Sequence, residues 1–565
     1  MGLELFNKHS RPQLFRQLSN ENFDLLIIGG GITGASIFRD ACLRGMRVAL
    51  IESHDFAAGT SGRSSKLIHG GLRYLLNLDF RLVWEACHER DLHVRLNKRL
   101  VRPIPFLIPF YRHRGDSILK WRLGMRIYEM MSGLKSCRHY RFLAPEATLS
   151  MAPGIRSDGL IGGVRYYEAS VSDNRLTMET IKDGVRNGGI ALNHAVVTEL
   201  IKENNRVRGA VFTNKFGGDK HYVKSRAVIN ATGVWADQTR KLADPGAANI
   251  VRLSKGTHLV FASDDIPLTV STAFFSPIDN RPLFLIKRDS CFLFGTTDEW
   301  VTGSPDIPVP SQADVMYLLD SLRRFMPRCH LDAQIIQFVY SGFRALPVKD
   351  NKDVESSLAT RENYIEVSPS GLITVVGGKL STARTIAERV LGKVIDATGH
   401  SAGWAPCRTR ELPIGGPPEE IPEEPVLPET HRPAGSPFQS GQCPSLTKYF
   451  QALHKRYGLD AVNICADIRQ SYLEQNSNQG TRLMWPEVEY LCRNEMVCTP
   501  EDLMERRFGF LSWSVGKRLA MLKRMKPILR AELILSAEEF EEEYRKYCQH
   551  LKHFHTLPEP GPPDK

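Results

Sequence analysis

The glycine-rich turn at residues 29–34 constrains the fold more than any other feature of this chain. An apolar run at residues 24–28 precedes the turn, a helical pattern over residues 32–44 follows it, and a second apolar run at residues 48–51 leads to Glu52. Short apolar runs of this kind are typical of strands buried on both faces of a sheet. The order of strand, glycine turn, helix, strand and acid is that of a dinucleotide-binding β-α-β unit. The sequence therefore predicts a buried parallel sheet whose first turn binds a dinucleotide.

Each glycine of such a unit has a physical role. Gly29 permits the tight turn, Gly31 lets the backbone approach a pyrophosphate, and Gly34 lets the helix pack closely against the strand. Free N–H groups at the helix start favour phosphate, and a carboxylate at the end of the second strand accepts the ribose hydroxyls. The predicted cofactor-binding set here is Gly29, Gly30, Gly31, Ile32, Thr33, Gly34 and Glu52. This unit alone does not separate FAD from NAD.

Length and composition limit the class of protein further. A chain of 565 residues predicts two or three domains, and its content of 42% hydrophobic and 24% charged residues is in the globular range. The 11 cysteines are scattered and include no C-x-x-C pair, so we predict neither a disulfide framework nor a metal site. No apolar run reaches the roughly 18 residues that predict a membrane span. The net charge of +11 is compatible with nucleic acid, an anionic membrane surface or an anionic substrate.

Composition changes along the chain predict its domain organisation. The strand-like runs at residues 227–230 and 372–376 each precede a glycine, whereas residues 290–295 and 335–339 have the pattern of antiparallel strands. The predicted fold is an α/β Rossmann-like domain assembled from separated segments, with an inserted antiparallel-sheet substrate domain and a C-terminal α-helical domain. The predicted parts are a disordered tail (1–21), the interleaved cofactor and substrate domains (22–414, with substrate parts at about 96–165 and 245–345), a Pro-rich linker (415–445), the helical domain (446–552) and a tail (553–565).

A family resemblance begins just after the β-α-β unit. Residues 60–75, with the sequence TSGRSSKLIHGGLRYL, closely resemble the signature of FAD-dependent glycerol-3-phosphate dehydrogenases. The resemblance covers nearly the whole chain in order, apart from the N-terminal segment and the linker. It continues at residues 166–168, 173–176, 230–233, 255–258, 295–298, 341–344, 360–364, 377–381 and 492–496.

The resemblance implies that the dinucleotide is FAD. Hydroxyls and a lysine in the signature would bind phosphate and the edges of the flavin ring. The strand end at Gly377 leads into a helix whose N–H groups would stabilise the anionic reduced ring. The further cofactor-binding residues predicted in this way are Thr60, Ser61, Ser64, Ser65, Lys66, His69, Gly70, Gly233, Gly378, Lys379, Leu380 and Ser381.

The resemblance also implies a substrate, sn-glycerol 3-phosphate. A phosphate monoester carries nearly two negative charges and favours several cations, preferably arginines. The predicted substrate-binding residues are Arg73, Tyr74, Thr296, Arg344, Arg361 and Lys379. Oxidation at C2 also needs a base for the hydroxyl proton, and a neutral histidine is the usual one. We predict His258 and Arg344 as the catalytic residues, with His69 as the alternative base.

The segment at residues 98–135 interleaves basic with aromatic and apolar residues. This pattern is typical of a monotopic surface on anionic lipid, although a substrate-domain helix with a basic outer face would give the same pattern. The family implies a quinone as electron acceptor, and quinone reduction requires access to lipid. We therefore predict a peripheral protein on the cytoplasmic face of the inner membrane. The sequence lacks the D-x-[DN]-x-[DN]-G calcium loop expected in many mitochondrial relatives, which favours a bacterial membrane. The sequence does not decide the oligomeric state, and a homodimer is one option.

Two classes of alternative function compete with this hypothesis. The first comprises flavin oxidases that use oxygen: a soluble glycerophosphate oxidase, or an enzyme of the amino-acid oxidase class. The latter would need a carboxylate-binding arginine and an aromatic cage instead of a cation cluster. The second is a basic nucleic-acid-binding protein, which we do not favour because the chain contains no recognised nucleic-acid module and its positive residues are spread out.

Overall fold

The structure of the chain is a computed structural model. It describes residues 3–75, 79–132, 138–305, 308–348, 363–399, 403–416, 444–465 and 485–557. Two sheets and a C-terminal group of helices make up the described part. The fold class predicted from the sequence is confirmed.

The strands and helices are numbered in chain order. The strands are β1 Asn22–Ile28, β2 Val48–Ile51, β3 Leu67–Ile68, β4 Val101–Tyr111, β5 Arg141–Leu143, β6 Leu160–Val171, β7 Ile190–Leu192, β8 Ala195–Glu203, β9 Arg206–Asn214, β10 Lys220–Asn230, β11 Val251–Ala262, β12 Ser271–Phe275, β13 Pro282–Lys287, β14 Cys291–Gly295, β15 Glu299–Val301, β16 Ile336–Pro347, β17 Asn363–Val367 and β18 Leu372–Gly377. The α-helices include α1 Arg11–Asn20, α2 Ile32–Leu43, α3 Leu72–Leu75, α4 Phe80–Leu96, α5 Ile118–Met131, α6 Pro145–Met151, α7 Asp173–Arg186, α8 Ala236–Ala243, α9 Gln312–Phe325, α10 Ala383–Thr398, α11 Pro444–Tyr457, α12 Trp485–Asn494, α13 Val515–Arg524, α14 Lys526–Glu532 and α15 Ala537–His555, and a π-helix spans Asp502–Phe508.

The first sheet is the core of the cofactor domain. Its eight strands run in the order β17-β18-β10-β1-β2-β7, and β8 and β9 extend it from β10. Pairing is parallel from β18 through β10, β1 and β2 to β7. Six of the seven residues of β1 are buried, as expected for a central parallel strand. The carboxyl ends of β1, β2, β10 and β18 therefore lie along one edge of the sheet, where ligands bind in this class of fold.

The second sheet forms the core of the other domain. It has ten strands, most of them antiparallel, in the order β15-β11-β14-β13-β12-β4-β6-β3, with β16 paired to β11 and β5 paired to β6. The long pairing of β11 with β16 sets Ser254 opposite Arg344 and His258 opposite Tyr340. This register brings residues more than 80 positions apart in the sequence to the same place.

The C-terminal helices are joined to both sheets. Leu529 and Tyr547 belong to the same buried apolar cluster as Phe338 on β16. Two arginines of a π-helical turn, Arg506 and Arg507, bind the buried carboxylate of Asp55 in the cofactor domain at 2.5 and 2.7 Å. No helix in the described part of the chain is long and apolar enough to cross a membrane.

The N-terminal segment differs from the predicted disordered tail. Residues 11–20 form α1, and Leu14 and Leu18 are buried against the cofactor domain. Arg11 is also buried and donates to the backbone oxygen of Asn193 at 2.8 Å. The polar sequence of this segment hid three apolar residues at helical spacing, which is why the prediction was wrong.

The C-terminal boundaries differ in a smaller way. Helix α15 runs on to His555, whose Nδ1 lies 2.9 Å from the backbone oxygen of Val339, so the predicted tail from residue 553 begins inside a packed helix. The predicted linker falls almost wholly on residues 417–443, which lie outside the described residues.

Candidate active site

A single large cavity is lined by residues of both sheets. Its volume is about 1620 Å³, which exceeds the roughly 300–1,000 Å³ typical of a site for one small molecule. The carboxyl ends of β1, β2, β10 and β18 supply one side, and β4, β6, β11 and β16 supply the other. The cavity thus has room for a dinucleotide and a second molecule.

The predicted glycine turn lies at one end of this cavity. Gly29 has a φ of +112°, and a Cβ there would be 2.5 Å from the backbone oxygen of Ala231. A Cβ on Gly34 would be 1.9 Å from the oxygen of Gly29, so α2 can pack against the turn only with glycine at that position. At Gly31 a Cβ would meet only the Ser61 side chain, at 3.0 Å. The turn itself therefore requires Gly29 and Gly34, whereas Gly31 leaves space open on the cavity side.

Glu52 lies at the end of β2 and lines the same cavity. Its Oε2 accepts a hydrogen bond from the backbone N–H of Gly30 at 2.6 Å, and its Oε1 accepts one from that of His54 at 2.7 Å. These bonds fix the carboxylate beside the turn, where it has oxygen lone pairs to spare for ribose hydroxyls. The first N–H of α2, at Ile32, is bound to Ser61 Oγ at 2.8 Å. The turn, the acid and the helix start together fit a dinucleotide.

The loop of residues 60–66 is organised by a buried acid. Asp173 is fully buried and accepts hydrogen bonds from Ser64 Oγ at 2.7 Å and from Lys66 Nζ at 2.6 Å. Burial lowers the pKa of Lys66, and Asp173 partly offsets this effect. Thr60, Ser61, Ser64 and Ser65 line the cavity, but Lys66 does not. The sequence predicted Lys66 as a cation that binds the cofactor. In the structure its ammonium group instead neutralises the buried carboxylate of Asp173 and does not line the cavity.

His69 lines the cavity and its neighbour Gly70 does not. The N–H of Gly70 donates to Glu168 Oε2 at 3.0 Å, and a Cβ on Gly70 would be 2.2 Å from the hydroxyl oxygen of Tyr128. Glu168 Oε1 accepts from that same hydroxyl at 2.7 Å. Gly70 is therefore a packing glycine that lets helix α5 approach the loop, and its predicted contact with the cofactor does not follow from the structure.

The end of β18 belongs to the side of the cavity that the first sheet supplies. Gly377 and Gly378 have φ angles of +78° and +88°, which turn the chain sharply into a short helix over residues 380–382 that precedes α10. The cavity-lining residues here include Gly378, Lys379, Leu380, Ser381 and, from the end of β10, Gly233. A helix start of this kind favours negative charge in the cavity.

His258, on β11, lies at the wall formed by the second sheet and is only 3% exposed. Its Nε2 is 2.9 Å from Ser65 Oγ, and its ring stacks on Tyr340 with a centroid distance of 4.9 Å. Burial, and then the charges of Arg344 and Lys66, lower the pKa of His258 to about 3. The imidazole is therefore neutral, as a base must be, and its pKa lies far below the ordinary histidine value.

Arg344, on β16, lines the cavity beside His258. Its NH1 donates to Asp298 Oδ1 and to Ser254 Oγ, both at 3.1 Å. Its NH2 donates to Thr296 Oγ1 at 3.3 Å. Ser254 and Asp298 are buried behind the guanidinium group and bind each other. Asp298 and Ser254 therefore hold this cation in one orientation at the cavity wall, and Thr296 lies beside it in the cavity lining.

The remaining predicted residues have different positions. Lys379 lines the cavity. Arg73 and Tyr74 belong to α3, whose flanking residues Leu72 and Leu75 also line it. The side chains of Arg73 and Tyr74, and the whole of Arg361, lie outside the described residues.

Several lining residues were not predicted. Near the glycine turn these include Arg63, Lys215 and Trp235. Elsewhere in the cavity they include Tyr111, Arg114, Trp121, Arg156 and Phe275. Arg63 lay inside the recognised signature and could have been chosen on that ground. The others come from five separate segments with no shared motif, so only the folded chain brings them together.

Comparison with known proteins identifies the two parts of the chain. Residues 24–387 match the family model described as FAD dependent oxidoreductase. Residues 407–540 match the model described as the C-terminal domain of alpha-glycerophosphate oxidase.

Individual relatives extend over almost the full length. Proteins named aerobic glycerol-3-phosphate dehydrogenase from Bacillus subtilis and Staphylococcus haemolyticus are 32% and 33% identical over 90% and 92% of this chain, and the match covers 91% of each relative. A crystal structure of the glycerol-3-phosphate dehydrogenase from Bacillus halodurans in complex with FAD has a TM-score of 0.77 at 26% identity, covering 97% of this chain and 98% of that one. The chain belongs to the family of FAD-dependent glycerol-3-phosphate dehydrogenases, and its cofactor is FAD.

Proposed function

We propose that this enzyme oxidises sn-glycerol 3-phosphate to dihydroxyacetone phosphate and passes the electrons through FAD to a membrane quinone. The observation that carries the proposal is that Arg344, Lys379 and His258 line the same cavity as the dinucleotide-binding turn. Two cations suit a phosphate dianion, and a neutral imidazole beside them suits the loss of a hydroxyl proton. The names of the relatives agree with this substrate.

The residues of the chain divide the work of the reaction. Gly29, Gly31 and Glu52 hold the nucleotide half of the cofactor, and the helix start at residues 380–382 favours negative charge on its ring. Bound FAD supplies the hydride acceptor. Arg344 and Lys379, together with Arg361, bind the phosphate and orient C2. His258 takes the proton of the C2 hydroxyl.

The proposal is tested by an absorbance spectrum of the purified protein followed by anaerobic addition of substrate. We expect a flavin spectrum that bleaches with glycerol 3-phosphate and stays unchanged with an equal concentration of glycerol, because glycerol has no charge for the cations to bind. A flavin that bleaches equally with both compounds, or with neither, would contradict the proposed substrate.

Replacing Arg344 with alanine should weaken substrate binding. The variant removes one charge partner of a dianion, which typically costs about 2–5 kcal/mol of binding. We expect the dissociation constant obtained from the concentration dependence of anaerobic flavin reduction to rise by the corresponding factor, about 30-fold or more. Arg344→Lys should lose less, because it keeps the charge but not the two-pronged geometry.

Arg323→Ala is the matched control, because Arg323 is a partly exposed arginine of α9 outside the cavity. Its dissociation constant should equal that of the wild type. An unchanged constant in Arg344→Ala would remove this residue from the phosphate site.

Exposed apolar side chains on α4 and α5 support docking on a membrane. Trp84 is 53% exposed, Leu119 is 77% exposed and Leu123 is 62% exposed. The basic residues Lys120, Arg122 and Arg126 are exposed on the same helix α5. Apolar residues beside cations are the composition of a surface that lies on anionic lipid. Lys120 and Trp121 also line the cavity, which supports entry of a lipid-soluble acceptor from that side.

Reversing the charges of Lys120, Arg122 and Arg126 to glutamate should weaken binding to vesicles of anionic lipid. Each cation near the surface contributes about 1 kcal/mol, so the triple variant should lose roughly 100-fold in partition coefficient measured by co-sedimentation. Wild-type binding should also weaken with salt. The matched control reverses three exposed cations on the meander of the first sheet: Lys202, Arg206 and Lys224. Equal losses in the two triple variants would exclude α5 as the docking surface.

The acceptor is tested separately. The reduced enzyme on vesicles is mixed with a quinone or with oxygen, and reoxidation and peroxide are measured. We expect fast reoxidation by quinone and little peroxide. Fast peroxide formation would favour the soluble oxidase as the function.

A further inference from the structure

Ser65 lies between the cavity and the imidazole of His258. Ser65 lines the cavity, and its Oγ is 2.9 Å from His258 Nε2. The other ring nitrogen, Nδ1, is buried and has no hydrogen-bond partner within the described part of the chain. His258 itself also lines the cavity, and the hydrogen bond between its Nε2 and the Ser65 hydroxyl gives a route for a proton from the cavity to this nitrogen.

The ring is held in this orientation from several directions. Tyr340 stacks on it at an interplanar angle of 14° and donates its own hydroxyl to the backbone oxygen of Ser64 at 2.7 Å. At Gly295 a Cβ would be 2.6 Å from His258 Cδ2, so the neighbouring strand packs closely on the ring edge. A rotation that would turn Nδ1 toward the cavity is opposed by these contacts.

We infer that Ser65 is a catalytic residue that relays the substrate proton to His258. The inference rests on the proposed function, in which the C2 hydroxyl of glycerol 3-phosphate loses a proton while C2 loses a hydride. The O–H bond of the C2 hydroxyl breaks as its proton moves to Ser65 Oγ, and the proton of Ser65 moves to His258 Nε2. The C2 hydride goes to FAD, which is the two-electron oxidant, and the C2 oxygen forms the carbonyl. His258 ends as a cation whose Nε2–H donates to Ser65.

The relay requires that the proton of neutral His258 reside on Nδ1, because Nε2 must accept from Ser65. The burial of Nδ1 keeps that proton away from the substrate. The family resemblance predicted Ser65 as a cofactor-binding residue, and its hydrogen bond to His258 Nε2 is the basis for the additional role inferred for it.

The test compares four variants in the rate of anaerobic flavin reduction: Ser65→Ala, Ser65→Thr, His258→Asn and the double variant Ser65→Ala/His258→Asn. Loss of a general base typically costs about 10²–10⁴-fold in rate. We expect Ser65→Ala to approach the rate of His258→Asn, and the double variant to be no slower than the slower single variant, because the two residues act as a unit. Ser65→Thr keeps a hydroxyl and should stay within about tenfold of wild type.

A second measurement does not depend on turnover. In the full chain labelled with ¹⁵N-histidine, the Nε2 signal of His258, identified by its loss in His258→Asn, should shift in Ser65→Ala and stay in place in Ser65→Thr. Flavin occupancy is read from the absorbance spectrum of each variant. If Ser65→Ala releases FAD, the same nitrogen signal in the flavin-free chain decides, and an unchanged signal rejects the contact.

The outcomes separate the relay from the function on which it rests. A near wild-type rate in Ser65→Ala together with a slow His258→Asn would overturn the relay and leave His258 as the base. Rates that fall independently, so that the losses multiply in the double variant, would also overturn it. Near wild-type rates in both single variants would reject the proposed proton acceptor itself.

Discussion

His258→Asn should reduce its flavin about 10²–10⁴-fold more slowly than the wild type, because it removes the base that the loss of the C2 hydroxyl proton requires. Asparagine keeps a polar side chain of similar size on β11. FAD should stay bound, and the substrate dissociation constant should change little, because the cations of the phosphate site are intact. The measurement is the limiting rate of anaerobic flavin reduction at saturating glycerol 3-phosphate.

The pH dependence of that rate gives an independent check. Burial, Arg344 and Lys66 lower the pKa of His258 to about 3, so the free enzyme has a neutral imidazole far below pH 6.5. The second-order rate constant of flavin reduction, measured at low substrate concentration, should therefore stay constant as the pH falls through 6.5, apart from the titration of the substrate phosphate. The dianion should offset the charge of Arg344 and raise the basicity of His258 when the substrate binds. If His258→Asn reduces its flavin at nearly the wild-type rate, another group must be the base, and His69 would be tested next.

Gly31→Val should purify without flavin. A branched side chain at this position fills the space that the pyrophosphate occupies at the start of α2, and the loss of bound cofactor should be nearly complete. We expect the protein itself to fold, since a Cβ at Gly31 would meet only the Ser61 side chain, at 3.0 Å. The measurement is the ratio of flavin absorbance to protein absorbance.

Gly392→Val is the matched control, because Gly392 lies within α10 and a Cβ there would meet no atom within 4 Å. The control should retain its flavin, and both variants should retain the circular dichroism of the wild type. Full flavin occupancy in a folded Gly31→Val would contradict the assignment of the turn.

The sequence allowed prediction of features that depend on neighbouring residues. The strand, turn and helix around Gly31 follow a local pattern, and the acid at Glu52 stands a fixed distance along the same unit. His258 and Arg344 were also predicted, but only through the family resemblance, because their juxtaposition depends on the register between β11 and β16. The role of each as a catalytic residue stays a prediction.

Other features could not be predicted because they depend on distant partners. Lys66 looked like a cation for the cofactor, and its partner Asp173 lies 107 residues further along the chain. Gly70 looked like part of the flavin loop, but its neighbour Glu168 is 98 residues away. The low pKa of His258 results from burial that no local pattern reveals. The short polar segment that forms α1 likewise packs as a helix because its few apolar side chains are buried against the cofactor domain.

The contact between the two ends of the chain has a consequence for synthesis. Asp55 follows Glu52 by three positions, yet its partners Arg506 and Arg507 are 451 and 452 residues further along. A ribosome adds residues from the N-terminus, so Glu52 is made early, whereas the arginines that fix its neighbouring loop are made after all of the intervening residues. Until then, the carboxylate of Asp55 lacks these two cations. The nascent cofactor domain should therefore capture FAD tightly only after residues 506 and 507 have left the ribosome, so we expect flavin incorporation to follow the synthesis of this C-terminal helical region.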